Sequence, residues 1–458
     1  MAVRSTADVR TPSRRGLKAR ASNAERMANA ARPIRSAAAP APRRKAKPVE
    51  YNILFTATLC LLAAGAVMVY SASSARTLLE GQGDGTMYLV KYLIFGAVGL
   101  VILQVLARNG LELLPRLTPA LLALSFALLI AVKVPGLGVE INGAQRWLGA
   151  GPLQFQPSEL MKLALVLYAA GLLATTPSRL RSLRGVTGPL LLVAGAAIVL
   201  IASQPDLGTA LVIAFTIGAL LLVAGVPLGL LGKIGGTAAV LVLLFSLADP
   251  ERVSRLTAFV NPWADASDTG FQSVQGQIAV GSGGFFGVGL GESVQKVFYL
   301  PEAHTDFILA VIGEELGIAG ICGLLFLYGL IGYAGLRTAK TAATRYTQLL
   351  AAGLTGLIMC QALLNVFAVL GLAPLTGVPL PFISSGSSSL LTLLATMGLL
   401  LNIAARSTSH LAALPHPAED RGDARGSRGA ESGDRGGRDG RARRSGAGSR
   451  RAAEGRGG

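Results

Sequence analysis

The run Tyr299-Leu-Pro-Glu-Ala-His-Thr-Asp-Phe-Ile308 places Glu302, His304 and Asp306 within five positions, where a long polar segment passes into an apolar one. Carboxylate and imidazole groups are the usual agents of proton transfer. Carrying them to the edge of a bilayer costs free energy, so a cluster kept there asks for a chemical reason. Asp306 is the candidate for the group that does the chemistry. An aspartate just before an apolar helix is also a good N-cap, and capping and catalysis are compatible.

The elements that must position this cluster are membrane helices. Hydrophobic residues make up 51% of the 458 residues and charged ones only 15%, a composition that excludes an ordinary soluble domain. The sequence predicts an all-α polytopic membrane protein of about ten spans, each long enough to cross ~30 Å of hydrocarbon. They start near Ile53, Tyr88, Leu117, Glu159, Val186, Gly208, Leu228, Phe307, Leu349 and Ser388. Gly96-Ala-Val-Gly and Gly317-Ile-Ala-Gly suit close helix contact in lipid. Residues 1–50 have no apolar core, so no cleavable signal peptide is expected.

The two ends hold most of the net charge of +17. Residues 1–50 carry 13 Lys or Arg against 3 acids, and residues 406–458 carry 12 against 7. Both tails are rich in Ala, Gly, Ser and Arg and are expected to be disordered. The positive-inside rule puts both termini in the cytoplasm, supported by Arg179, Arg181 and Arg184 in one short loop and Arg337, Lys340 and Arg345 in another. Anionic lipid suits such tails better than nucleic acid, which is not expected as a partner. Cys60, Cys322 and Cys360 fall in apolar spans and read as buried thiols, since each lacks a second ligand at metal spacing.

Counting spans outward from a cytoplasmic start assigns three segments to the outer face. The first runs from Asn142-Gly-Ala-Gln-Arg-Trp147 to Gln154-Phe-Gln-Pro-Ser-Glu-Leu-Met-Lys162. Here Ser158 is a candidate N-cap, and Arg146 with Trp147 could form an interfacial anchor pair. Lys162, about one turn further in, reads either as a snorkelling lysine or as a fixed cation for a phosphate. The second is Gln204-Pro-Asp-Leu-Gly-Thr, whose Asp206 reads as a helix cap. The third is the loop 248–306 between spans seven and eight, too long for an idle connection, containing Gly281-Ser-Gly-Gly284 and Gly287-Val-Gly-Leu-Gly291. Such glycines allow backbone to approach a ligand closely, although flexible turns are their common meaning. Ser384 and Ser385 follow the proline-rich stretch Pro374 to Pro381 and would lie at the mouth of the last span, with helix capping and a tight turn as the simpler reading.

Together these residues carry a resemblance. From about residue 53 to 405 the chain resembles the SEDS family of peptidoglycan polymerases, through Asn142-Gly-Ala-Gln-Arg-Trp, Gln156-Pro-Ser-Glu-Leu-Met-Lys, Gln204-Pro-Asp-Leu-Gly-Thr, the stretch from Gly281-Ser-Gly-Gly to Glu314-Glu-Leu-Gly, and Pro379-Leu-Pro-Phe-Ile-Ser-Ser-Gly386. The wording Gly289-Leu-Gly-Glu-Ser-Val-Gln-Lys-Val-Phe-Tyr-Leu-Pro-Glu-Ala-His-Thr-Asp is similar to the cell-division type, and a sporulation type shares much of it. Gln145 stands where a basic residue is frequent, and Ser387 where Gly is.

The resemblance implies a glycosyltransferase that polymerises lipid II into β-1,4-linked strands on the outer face of the bacterial cytoplasmic membrane, at the division septum. Asp306 matches the family's catalytic aspartate. Arg146, Lys162, Glu302, His304, Ser384 and Ser385 are the substrate-binding candidates. No organic cofactor is implied, and the departing pyrophosphate admits a divalent cation, Mg or Mn. The implied partners are lipid II, the growing glycan strand, a class B penicillin-binding protein and other divisome proteins. A lipid II transporter competes with this reading, because intramembrane charges would be expected there too, as does an inactive scaffold. An elongation-type or sporulation-type polymerase is the nearer alternative.

Overall fold

The computed structural model describes residues 47–79, 85–109, 111–141, 143–150, 153–175, 188–247, 250–297, 300 and 303–407. Residues 1–46 and 408–458 of the basic tails, the arginine loop at 179–184, Asn142 and Glu302 lie outside the described residues.

The protein is an all-α polytopic membrane protein. Among the described residues nine helices are long and apolar enough to cross a bilayer. They are α1 (Val49–Leu79), α2 (Met87–Arg108), α3 (Leu114–Val132), α4 (Pro157–Thr175), α6 (Leu207–Ala224), α7 (Leu228–Leu247), α10 (Ile308–Thr341), α11 (Arg345–Val369) and α12 (Ser387–Arg406). The expected span near Val186 is represented by α5 (Gly188–Ala202), whose 15 described residues fall short of the ~20 a crossing needs. The helix α1 begins at Val49, inside the expected tail, and Glu50 pairs with Arg337 near the far end of α10 at 3.4 Å.

Two stretches that read as loop contain regular structure. Between α3 and α4 lies a small antiparallel sheet of β1 (Gly138–Ile141), β2 (Ala144–Ala150) and β3 (Leu153–Phe155), in the order β1-β2-β3. The loop 248–306 folds into α8 (Pro250–Val260), a 3-10 turn at Pro262–Asp265 and α9 (Phe271–Ser282). The strands are three to seven residues long, too short for a period to declare itself against glycine-rich surroundings.

Packing follows small residues. A Cβ at Gly99 of α2 would collide with Leu394 of α12, and one at Gly398 of α12 would meet the Leu103 carbonyl oxygen at 2.7 Å, so these two helices approach nearly backbone to backbone. Helix α11 packs between α4, α6 and α10, and its buried residues include Leu349, Leu350, Leu354, Leu357 and Ile358. Buried hydroxyls inside the spans, such as Thr58, Thr355 and Thr396, donate to the carbonyl four residues earlier, which satisfies them without a partner helix. The three cysteines are less buried than expected, Cys360 being half-buried. Cys60 and Cys322 are exposed, pointing away from the bundle on faces where an apolar thiol meets lipid at little cost.

Gly317 also departs. Instead of serving helix contact it breaks α10, with φ 66° and ψ −163°, a conformation that only glycine adopts without strain. The interrupted backbone groups are taken up by the glycine-rich loop. Val288 and Gly289 donate to the Glu314 and Glu315 carbonyls, and Ile318 and Ala319 donate to the Gly284 and Phe285 carbonyls, all at 3.0–3.1 Å. The close approach that the glycines at 283–289 allow is thus made by another stretch of this chain rather than by a ligand.

Candidate active site

Asp306 stands two residues before α10, half-buried, its Oδ1 accepting from the Thr305 hydroxyl at 3.1 Å. The N-cap position falls to Phe307, which makes no side-chain cap, so the capping role expected of Asp306 passes to no side chain. A Cβ at Gly377 would lie 3.8 Å from Asp306 Oδ2; with glycine there, no side chain of residue 377 stands against that oxygen.

The backbone under the cluster is held by hydrogen bonds from distant elements. Ser384 Oγ donates to the Thr305 carbonyl at 2.5 Å and accepts from the Leu380 amide at 2.8 Å. Ser385 donates through both its amide, at 3.1 Å, and its hydroxyl, at 2.9 Å, to the His304 carbonyl. Asn365 Nδ2 of α11 donates to the Asp306 carbonyl at 2.7 Å and to the Val378 carbonyl at 2.8 Å. The serine pair thus binds protein backbone and fixes His304, Thr305 and Asp306 in place. The His304 ring lies against Tyr88 of α2, centroids 4.3 Å apart.

Lys162 neither snorkels nor opens to solvent. It is 2% exposed, paired with Glu159 at 2.9 Å and bonded to Gln361 Oε1 at 2.7 Å. Gln361 Nε2 continues to the Pro379 carbonyl at 3.0 Å, and Asn365 lies one turn further along α11. Lys162 is thus tied through Gln361 to the Pro379 carbonyl, and Asn365 ties the adjacent Val378 carbonyl to the backbone of Asp306, the two amides being joined by the 378–379 main chain. Glu159 Oε2 and Asn365 Oδ1, both buried, have no hydrogen-bond partner among the described residues. Ser158 lies inside the first turn of α4 rather than at its cap, because Pro157 already occupies a helical position; its hydroxyl donates to Asp206 Oδ2 at 3.3 Å. Asp206 caps α6 as expected, accepting from the Thr209 amide at 3.1 Å, and also accepts from Gln156 at 3.0 Å. Arg146 donates to the Gln204 carbonyl at 3.0 Å and to the Pro205 carbonyl, which holds the α5–α6 turn against β2. Gln145, the departure from family wording, donates to the Gly138 carbonyl at 3.2 Å and closes the hairpin.

Sequence reading overlooks Asn365 and Gln361, although two amides four residues apart in an apolar run share one helix face, a sign of a polar contact inside the bundle. It also gives no separate role to Glu314, Glu315 and Lys296. Among the described residues no three His, Cys, Asp or Glu side chains gather where they could hold a metal ion.

Residues 51–409 match the family described as "Cell cycle protein", FtsW/RodA/SpoVE. The chain is 39% identical over 365 residues to the probable peptidoglycan glycosyltransferase FtsW of Trichlorobacter lovleyi, covering 79% of this chain and 95% of that one. It is 38% identical over 359 residues to stage V sporulation protein E of Bacillus subtilis, covering 77% and 96%. Two solved structures are similar at 30% identity. One, titled as the structural coordination of polymerization and crosslinking by a peptidoglycan synthase complex, superposes with a TM-score of 0.64 over 77% of this chain and 96% of that one. The other, the rod shape determining protein RodA of Thermus thermophilus, has a TM-score of 0.57 over 79% and 98%. The chain belongs to the FtsW/RodA/SpoVE family, the SEDS proteins, and is a multi-pass protein of the bacterial cell membrane.

Proposed function

We propose that this chain is a peptidoglycan glycosyltransferase that polymerises lipid II on the outer face of the cytoplasmic membrane, with Asp306 as the general base and septal wall synthesis as its setting. The acceptor's GlcNAc 4-hydroxyl gives its proton to the Asp306 carboxylate as its oxygen bonds to the anomeric carbon of the growing strand. The bond from that carbon to undecaprenyl pyrophosphate breaks, and the pyrophosphate leaves with the electron pair. Attack opposite the leaving group turns an α-linked donor into a β-1,4 glycan. Both termini lie in the cytoplasm in this arrangement, and a class B penicillin-binding protein works beside the polymerase with other divisome proteins. The FtsW names among the relatives favour the septal setting, while the sporulation relative keeps that role in contention.

The observation that carries the reading is the grip on residues 304–306. Ser384, Ser385 and Asn365 all bind backbone carbonyls there, which fixes the main chain that carries the Asp306 side chain. A base positioned in advance is what proton transfer in the transition state needs. Substrate contacts fall to Arg146, Glu302 and His304, while Lys162, buried against Glu159 and Gln361, acts through that network rather than by touching substrate. Among the described residues no donor set gathers for a protein-held divalent ion, so Mg or Mn is proposed as a companion of the pyrophosphate oxygens; polymerisation that EDTA leaves unchanged would refute a need for it.

Glycan synthesis from purified lipid II by the full chain with its class B penicillin-binding protein tests the assignment. Wild type is expected to make product and Asp306→Ala none, at matched folding and complex formation. Equal product from both would overturn Asp306 as base, and no product from either, with the partner verified active, would favour transport or scaffolding.

A further inference from the structure

A second cluster of ionised groups lies outside the Asp306 site. Lys296 is 4% exposed and Glu315 is fully buried; they pair at 2.8 Å. Lys296 Nζ also donates to the Gly291 carbonyl at 2.7 Å and to Ser71 Oγ of α1 at 3.3 Å, and the Ser71 hydroxyl donates to Glu315 at 2.6 Å. Next to it, Glu314 accepts from the Ser293 hydroxyl at 2.5 Å and from the Val294 amide at 3.0 Å.

The position of this cluster in the chain gives it meaning. Asp306 lies ten residues after Lys296 and nine before Glu315, near the midpoint of the segment whose two ends the pair joins. Glu314 and Glu315 sit three and two residues before the Gly317 break; their carbonyls hold the glycine loop at 288–289 while their carboxylates hold the turn at 293–296. Ser71 adds a tie to α1. Apolar side chains of similar volume often fill such a site with no loss of stability, and setting the register of the parts they join is the best-attested use of buried ion pairs. Ser384, Ser385 and Asn365 grip the segment at Asp306 itself; the ion pair closes its base.

We propose that the Lys296–Glu315 ion pair is a positioning device for Asp306, closing the segment 296–315 so that the carboxylate is held in one register. This rests on the polymerase reading with Asp306 as base. Lys296 touches no reacting atom and acts through the segment it closes.

The test compares the full chain, with its class B penicillin-binding protein, as wild type, Lys296→Arg, Lys296→Met and Asp306→Asn. Polymerisation rates from lipid II are measured together with backbone amide exchange at residues 303–307. Lys296→Met is expected to lower kcat on the order of 100-fold, the effect of about 1 Å of misplacement, with KM little changed. It is expected to speed exchange at 303–307 while α11 exchanges as in wild type. Lys296→Arg keeps the charge and is expected to retain most of the rate. Wild-type kcat in Lys296→Met, a loss carried by KM alone, unchanged exchange at 303–307, or an arginine variant no better than methionine would each overturn the proposal. Where Lys296→Met alone does not fold, Lys296→Met with Glu315→Gln leaves the site neutral, and the same exchange comparison decides. An Asp306→Asn variant that polymerises at the wild-type rate would instead overturn the assignment of the base, and exchange would still report whether the ion pair holds the segment.

Discussion

Replacing Asn365 with alanine removes one side chain from two hydrogen bonds of 2.7 and 2.8 Å, and with it the link between the Asp306 and Val378 carbonyls. Asn365 is 2% exposed, so water does not readily take its place. Each of the two carbonyl acceptors left stranded costs about 1–3 kcal/mol where it is buried, which puts the loss near 2–6 kcal/mol for the pair. The substitution also opens a small cavity, adding to that figure. Asn365 Oδ1 has no partner among the described residues, so alanine removes one unsatisfied atom as well and holds the total toward the lower end. The assay has two arms: thermal unfolding of the full chain in nanodiscs, and polymerisation from lipid II below the unfolding temperature. A lower Tm is expected together with a fall in kcat of about tenfold or more, because the Asp306 backbone loses its tie to α11. Asn365→Asp supplies an oxygen where a donor is needed and is expected to do no better than alanine. An alanine variant with wild-type Tm and wild-type kcat would refute the reasoning.

Two other substitutions separate structure from chemistry. Gly317→Ala puts a Cβ 2.5 Å from both the Gly287 nitrogen and the Phe285 carbonyl oxygen at φ 66°; it is expected to destabilise by more than ~1 kcal/mol and to loosen the loop, read as faster amide exchange at 284–289. An unchanged protein would mean that the break is not required. Lys162→Met strands the buried Glu159 carboxylate and is expected to cost about 3–5 kcal/mol, most of which Lys162→Met with Glu159→Gln recovers. A double variant of restored stability that still makes no glycan would give Lys162 a direct role toward substrate; restored synthesis would make it structural.

The helices are legible because burial in lipid demands long apolar runs, and α2, α4, α6 and α12 begin within a few residues of where hydropathy places them. Asp306 is legible as a carboxylate at a polar-to-apolar boundary. What holds it is not, since Ser384 and Ser385 reach back some 80 residues and Asn365 about 60, and no local pattern encodes such a meeting. Lys162 misleads in a different way. A lysine one turn inside a membrane helix suggests either the interface or a ligand, yet the choice between them depends on Gln361, 199 residues away. The glycine-rich run 281–291 declares that backbone is approached closely and cannot say by what.

That last contact has a consequence for recombination between relatives. A Cβ at Gly283 would collide with the Gly313 carbonyl, and one at Gly287 with the Glu315 carbonyl, so the loop and the first turns of α10 meet as bare backbone with no side chain between them to adapt. Side-chain interfaces tolerate repacking, whereas two main chains in contact accept only a matched pair of curvatures. Residues 271–319 are therefore expected to behave as one heritable block: a chimera joined inside it sets surfaces from two parents against each other, while one joined in α7 or beyond Ala319 transfers the block whole.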